Sequence, residues 1–413
     1  MSPNARDMVH AALWGTGLSF VGIGSELKWT EATMNRMKRG KTRFVFLLCL
    51  GAASFTGFAE KNPVDQARVV DPAASFIDVA ARRAELVSAA NPRVLQAFKD
   101  KRGCTNSEQA EPPAGPMVIP HHYLNGSNGP TDPQEAKATV PYQRLQDAVT
   151  AGASRYVAAG DHAEAACVAS LLARWAAARA LLDYSYRESS QAWYQVEWTL
   201  SSISLAYSIV QSDAAVSAEQ RSQILKWMRD VTDRMFDQDP HPDDRAHENN
   251  HAYWRALCGA SVGILTNDNK LYRRALKQYE RAIGQMNPDG SLPLEMARHE
   301  NALRYQSFAL TPLVMIAELA ARQGSDLYRV RVNGHTIADA VDFLVRASAN
   351  RDLMKRYASE PQTFSLFSGN RPPAWLEFWA VRHPEKPWNS LLTQPLSDPV
   401  IGGNVTLYAA PVK

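Results

Sequence analysis

The chain has 413 residues, 45% hydrophobic and 21% charged, which is ample for a large core but does not fix the number of domains. Its formal charge of +3 tempts one to infer an acidic partner, but residues 1–59 hold seven Lys/Arg and three Asp/Glu, leaving 38 basic against 39 acidic residues from 60 onward. That balance gives no ground for a nucleic-acid partner, and any affinity for a polyanion must come from local arrangement.

Residues 38–43 read KRGKTR and are followed by the apolar run FVFLLCLGAASFTGFA and then Glu60. This is the layout of a secretory signal starting at Met37 and cleaved near Ala59. The run is too short to span a bilayer comfortably, although a retained anchor is the alternative reading. Residues 1–36 then form an upstream extension, so 1–59 precede a single expected domain at 60–413 in the periplasm or outside the cell, with no membrane contact after cleavage. Export permits a disulfide. Of the three cysteines left, Cys104 lies in a polar loop, Cys167 early in a helix and Cys258 in an apolar stretch. A loop-to-helix staple between Cys104 and Cys167, with Cys258 a buried free thiol, is the favoured arrangement.

Helical periodicity begins at 76–90 and returns at 141–160 and 162–183, with apolar residues three and four apart. Further helices are expected at 191–211, 217–236, 247–265, 269–286, 295–309, 312–323 and 335–348, with Thr311 and Pro312 suited to an N-cap and first helical position. Strand signals are nearly absent. The stretch 103–133 is rich in Pro, Gly, Asn and Ser, and its length suggests a functional flap, with a disordered insertion as the alternative. NPDGSLP at 287–293 reads as a tight turn. Consecutive helix hairpins over more than 200 residues predict an all-α fold, a toroid or solenoid of antiparallel helix pairs; the expected form is an incomplete (α/α) toroid, with a long lid loop over the cleft that such a ring has at one end.

The stretch HENNHAYW, 247–254, contains the zinc-peptidase pattern H-E-x-x-H. A zinc site needs a third protein ligand. Trp254 and Leu257 stand where one continuation of the pattern needs Gly and His, and NKLYRRAL at 269–276 lacks the acid another needs. The five letters alone are a weak signal, and no metal or cofactor is expected.

The letters NNHAYW, however, resemble the NNHSYW motif of the alginate lyases, family five of the polysaccharide lyases. NPDGSLPLEMARHENALRYQ, 287–306, is similar to that family's turn and helix carrying a catalytic arginine and tyrosine, and WLEFW and GGNVT resemble its C-terminal segments. The resemblance covers roughly 100–410. It implies a lyase that depolymerises alginate, an anionic polysaccharide, by metal-independent β-elimination, mostly at mannuronate, in a monomer. It assigns Asn250, His251, Arg298 and Tyr305 to the active site.

Each role suits its chemistry. Removing the C5 proton of a uronate builds charge on the adjoining carboxylate, which Asn250 and Arg298 can neutralise. Tyr305 is the expected acid/base, its pKa drawn down by Arg298 seven residues earlier on one helix face, with small Ala302 leaving room for a sugar. His251 can hold or take a proton near neutral pH. Arg298 could instead simply pair with Glu295. His122 and Tyr123 match the lid segment SKYEGSD, with histidine where that segment has lysine. Trp254, and the cluster Trp193, Tyr194 and Trp198, could stack on sugars or form a helical core stripe. Gln306 and Ala252 depart from the family pattern beside the catalytic residues and leave the polymer open, polyglucuronate and hyaluronan included. A zinc peptidase and a toroid that binds polyuronate without cutting it are the rivals of other classes.

Overall fold

Among the described residues eight helices exceed twelve residues: α1 (Pro133–Ala159), α2 (His162–Ala177), α3 (Ser190–Val210), α4 (Ala218–Phe236), α5 (Asn250–Leu265), α6 (Asn269–Gly284), α7 (Ala302–Arg322) and α8 (Ile337–Ala349). The computed structural model describes residues 63–413 apart from 109, 126–128, 239–244, 368–371 and 387. The expected extension and signal, 1–59, and the tip of the expected lid lie outside these residues. Extended pairing among the described residues is limited to isolated bridges.

Capping sets the register of most helices. Asp132, Asp161, Ser189, Ser217, Asn249 and Asp268 each accept a backbone N–H of the first turn that the helix itself leaves unpaired. The links between hairpin partners are short, so α1 and α2, α3 and α4, and α5 and α6 run antiparallel. Contacts then sort the helices into two layers: α1 packs on α3, α3 on α5 and α5 on α7, while α2 packs on α1 and α4. The odd-numbered helices form an inner layer, the rest an outer one, giving the expected incomplete toroid.

Composition follows the layers. Every residue of α5 is buried, and α3 is buried except at Ser190, Tyr194 and Trp198. The outer α6 instead buries one stripe, Leu271, Tyr272, Ala275, Leu276, Tyr279, Ala282 and Ile283, and gives its other face to water. Because the inner helices are joined through antiparallel outer ones, their N-termini gather at one end of the layer. Each carries the positive end of a helix dipole, so this end favours an anion.

Several expected boundaries moved. The pattern at 141–160 is the later part of a helix that begins at Pro133 and runs through Pro141. Helix α2 stops at Ala177, and Arg179 and Leu181 take left-handed φ values of 53° and 66°. The expected break at Thr311–Pro312 is absent: α7 passes through it, and Thr311 Oγ1 bonds back to the Ser307 carbonyl at 3.4 Å. An interior proline costs about 3 kcal/mol. Burial of nearly the whole of α7 from Ala302 to Ala320 outweighs that local signal.

The Cys104–Cys167 disulfide is present, tying the start of the long loop to α2, and Cys258 is a buried free thiol. Near the C-terminus Glu377 accepts Arg93 at 2.5 and 3.2 Å and also the Thr406 hydroxyl, which ties the tail to the N-terminal helices. No helix among the described residues is long and apolar enough to cross a membrane.

Candidate active site

Asn249 caps α5 through a bond from the His251 N–H (3.0 Å), which starts the helix at Asn250 and puts 250 and 251 in its first turn. His247 falls before that cap, in the short turn Arg245–His247, where its side chain is exposed and lies 3.8 Å from Glu248. The two histidines of H-E-x-x-H therefore do not share a helix face. Among the described residues no cluster of three or more His, Cys, Asp and Glu side chains is placed to hold a metal.

His251 is nearly buried, and its Nδ1 lies 2.9 Å from Glu197 Oε2 on α3. A carboxylate can only accept, so Nδ1 carries the proton and Nε2 the lone pair. Arg255, one turn further along α5, donates to the other oxygen of Glu197 at 2.7 Å and to the Ala246 carbonyl at 2.8 Å. Glu197 itself is 0% exposed. Burial holds the His251 pKa below its ordinary value; Glu197 pulls it up, Arg255 and Arg298 push it down. The ring is thus a neutral base, held flat against Tyr194 with centroids 3.6 Å apart.

Facing this group are the lead-in and first turns of α7. The turn at 287–291 depends on Gly290, whose φ is 89° and whose missing Cβ would meet the backbone of Asp339. It delivers Glu295, on the short helix Pro293–Met296, to Asn250, whose backbone N–H and Nδ2 donate to the carboxylate at 2.8 and 3.0 Å. Burial pushes Glu295 up to about 7 against the opposing pull of Arg298 and Asn250. Arg298 is not on α7: His299, at a φ of 52°, turns the chain before the helix begins. That bend lays the guanidinium over the Tyr305 ring, 4.6 Å from its centroid. Arg298 makes no ion pair among the described residues, although its charge still acts on Glu295, whose carboxylate is bound by Asn250.

The long loop closes over this end. Tyr123 bridges to Thr131, Leu124 and Asp132 bond across the loop neck at 2.9 Å each, and the Tyr123 side chain lies close enough to Tyr305 to help push its pKa up. His122 stands 3.4 Å from Glu135 on α1 and meets Tyr123 edge to face.

Asn250, His251, Arg298 and Tyr305 thus come together, but several expectations need correction. Asn250 is 0% exposed, with its free Oδ1 buried and unpartnered, so its amide is covered and not presented on an open surface as expected. Tyr305 is shifted up, not down: burial and the Tyr123 contact outweigh Arg298. Ala302 is buried and leaves no room for a sugar. Trp193 and Trp254 are 1% exposed; the first bonds the Met235 carbonyl under Arg255, the second packs on Phe308. Their phase on α3 and α5 faces them into the core, and only Tyr194 and Trp198 of the aromatic cluster border the site. Gln306 lies behind it, bonding Leu292 N, Gly290 O and Ala340 O to brace the turn.

Sequence reasoning missed Glu197, and it weighed Glu295 only as an ion-pair partner for Arg298, not as the partner of Asn250. Glu197 did leave a signal, as the one charged residue in SQAWYQVEWTLSSISLAYSIV.

The family model described as alginate lyase matches residues 71–353. A polysaccharide lyase of Stenotrophomonas maltophilia is 32% identical over 73% of this chain and 90% of its own length. The solved alginate lyase A1-III of Sphingomonas species A1 is similar at a TM-score of 0.78, with 38% identity over 84% of this chain and 99% of that one. A histidine-to-alanine variant of alginate lyase A1-III complexed with a tetrasaccharide gives 0.79, with the same identity and 98% of that chain. With its all-helical toroid and this match, the chain belongs to the alginate lyase family.

Proposed function

We propose that the protein depolymerises alginate by β-elimination, with mannuronate as its preferred uronate. The observation that carries the reading is the meeting of a neutral, carboxylate-held His251 with Arg298 and Tyr305 at the dipole-positive end of the inner helices. In the reaction the C5–H bond breaks, its electron pair forms the C4=C5 double bond, and the C4–O bond breaks as that oxygen takes a proton. Arg298 and Asn250 neutralise the carboxylate beside C5, and losing one such donor costs about a hundred- to a thousandfold in rate. No metal or cofactor enters this scheme.

The resting proton states bear on the choice of uronate. His251 is an acceptor and Tyr305, pushed up by burial, a donor. In mannuronate the C5 hydrogen and C4 oxygen lie on one side, so Tyr305 serves both steps once its proton is lent to His251. In guluronate they lie on opposite sides and the pair works as it stands, which is the specific support for a second reading. Purified protein is offered polymannuronate, polyguluronate, polyglucuronate and hyaluronan, with ultraviolet absorbance of the unsaturated product as readout. Fastest cleavage of polymannuronate is expected; no product from any of the four sinks the proposal.

The 37–59 pattern and the Cys104–Cys167 bond together support export to the periplasm or beyond. Cell fractionation tests this, and protein confined to the cytoplasm contradicts it.

A further inference from the structure

Asn250 is held from one end only. Its backbone N–H is bound by Glu295 Oε1 and its Nδ2 by Glu295 Oε2, while Oδ1 is buried with no partner among the described residues. With Glu295 ionised the carboxylate can only accept, so the amide must give it the N–H end and leave its oxygen on the other side. An oxygen is the wrong atom to meet a uronate carboxylate.

We propose that Glu295 is a positioning residue that sets which end of the Asn250 amide faces the substrate, and that it takes up a proton when an anionic uronate binds. This rests on the reading of Asn250 as a neutraliser of the substrate carboxylate. Protonated at Oε2, Glu295 donates to Oδ1, the amide turns over, and Nδ2 occupies the place where Oδ1 now lies. Oε1 keeps the backbone N–H in both states, so the turnover needs no movement of α5.

The charged and titratable groups acting on Glu295 are Tyr253 from α5, Arg298 from its own lead-in segment and Tyr305 from α7. Both tyrosines are shifted up by burial and stay neutral, so Arg298 is the one charge among them. Burial outweighs it and brings Glu295 to about 7, within reach of the proton that substrate binding calls for. His251 is shifted down and Tyr305 up, which leaves Glu295, at about 7, as the member of this group that titrates around neutrality.

Glu295→Gln mimics the protonated state, with its oxygen on the Asn250 backbone and its amide facing Oδ1. In the wild type kcat/KM on polymannuronate is expected to fall about tenfold per pH unit above the Glu295 pKa, while kcat holds to higher pH because the bound carboxylate keeps the proton in place. In Glu295→Gln the fall in kcat/KM over the same range shrinks to less than about threefold. An unchanged profile, or an equal loss at every pH, overturns the proposal and leaves Glu295 a merely structural group. Should Glu295→Gln fail to fold, calorimetry on the Tyr305→Phe protein replaces it. A mannuronate oligosaccharide is bound at about pH 8 and about pH 5.5, values on either side of Glu295, in buffers of differing ionisation heat. Proton uptake approaching one per site at the higher pH and near none at the lower is expected, and no uptake at the higher pH refutes the idea. Proton uptake by Tyr305→Phe, together with no unsaturated product from the wild-type protein on any of the four polymers, would refute the lyase reading and not this one.

Discussion

His251, Glu197 and Arg255 form one buried unit in which each partner accounts for the next. A carboxylate with no access to water needs its charge answered, and Arg255 answers it at 2.7 Å. The same carboxylate then fixes the His251 ring and leaves Nε2 free to act. Glu197→Gln keeps a side chain that can accept from Nδ1 but strands the Arg255 charge, a loss of about 3–5 kcal/mol for a broken buried pair. Denaturant unfolding checks this, and a loss under about 1 kcal/mol would mean that Arg255 finds another partner. Tyr305→Phe removes the hydroxyl and keeps the ring under Arg298. Turnover is expected to fall at least about a hundredfold, the scale of general acid–base catalysis, while oligosaccharide binding survives. Cleavage at the wild-type rate would remove Tyr305 from the chemistry.

At the scale of elements, the helices were legible where one face meets water. The stripe of α6 and the Asp or Ser caps of α2, α4 and α6 mark themselves in the sequence. The inner helices were not, because a segment buried on all sides has no polar face to give its phase. For that reason Trp193 and Tyr194 could not be told apart, although one faces the core and the other His251. Glu197 and Glu295 lie 54 and 45 residues from the partners that give them meaning, and no local spacing reports such a pairing. The Thr311–Pro312 break was misread for the opposite reason, a sound local signal overruled by tertiary burial. The disulfide couples a long loop to this scaffold across 63 residues of chain. Removing it with Cys167→Ser is expected to cost about 4 kcal/mol by loop-closure entropy, read from the shift in denaturation midpoint. The same variant tests the lid: Cys104 sits early in the loop, so a freer lid would show as a changed KM with kcat held.

For the whole molecule, two buried groups of the site pull the pH dependence of stability in opposite directions. Glu295 has a folded pKa of about 7 against an ordinary value of 4.5, so the native state binds its proton more tightly than the unfolded chain does. Stability from this group is complete below pH 4.5 and is lost as pH rises through about 7. The displacement corresponds to about 3 kcal/mol. His251 works the other way: its folded pKa lies below the ordinary 6.5, so its contribution is complete above pH 6.5 and is lost as pH falls through the folded value. The ionised site is thus a strained one, in which the arrangement that holds Asn250 costs the fold free energy on the alkaline side. Glu295→Gln removes the ionisation and keeps an acceptor for the Asn250 backbone. Relative to wild type it is expected to be more stable by about 2–3 kcal/mol at about pH 8.5, with the difference vanishing near pH 4.5. Urea unfolding of both proteins at the two pH values decides it, and a difference that is the same at both would show that Glu295 is not the group whose burial the fold is opposing.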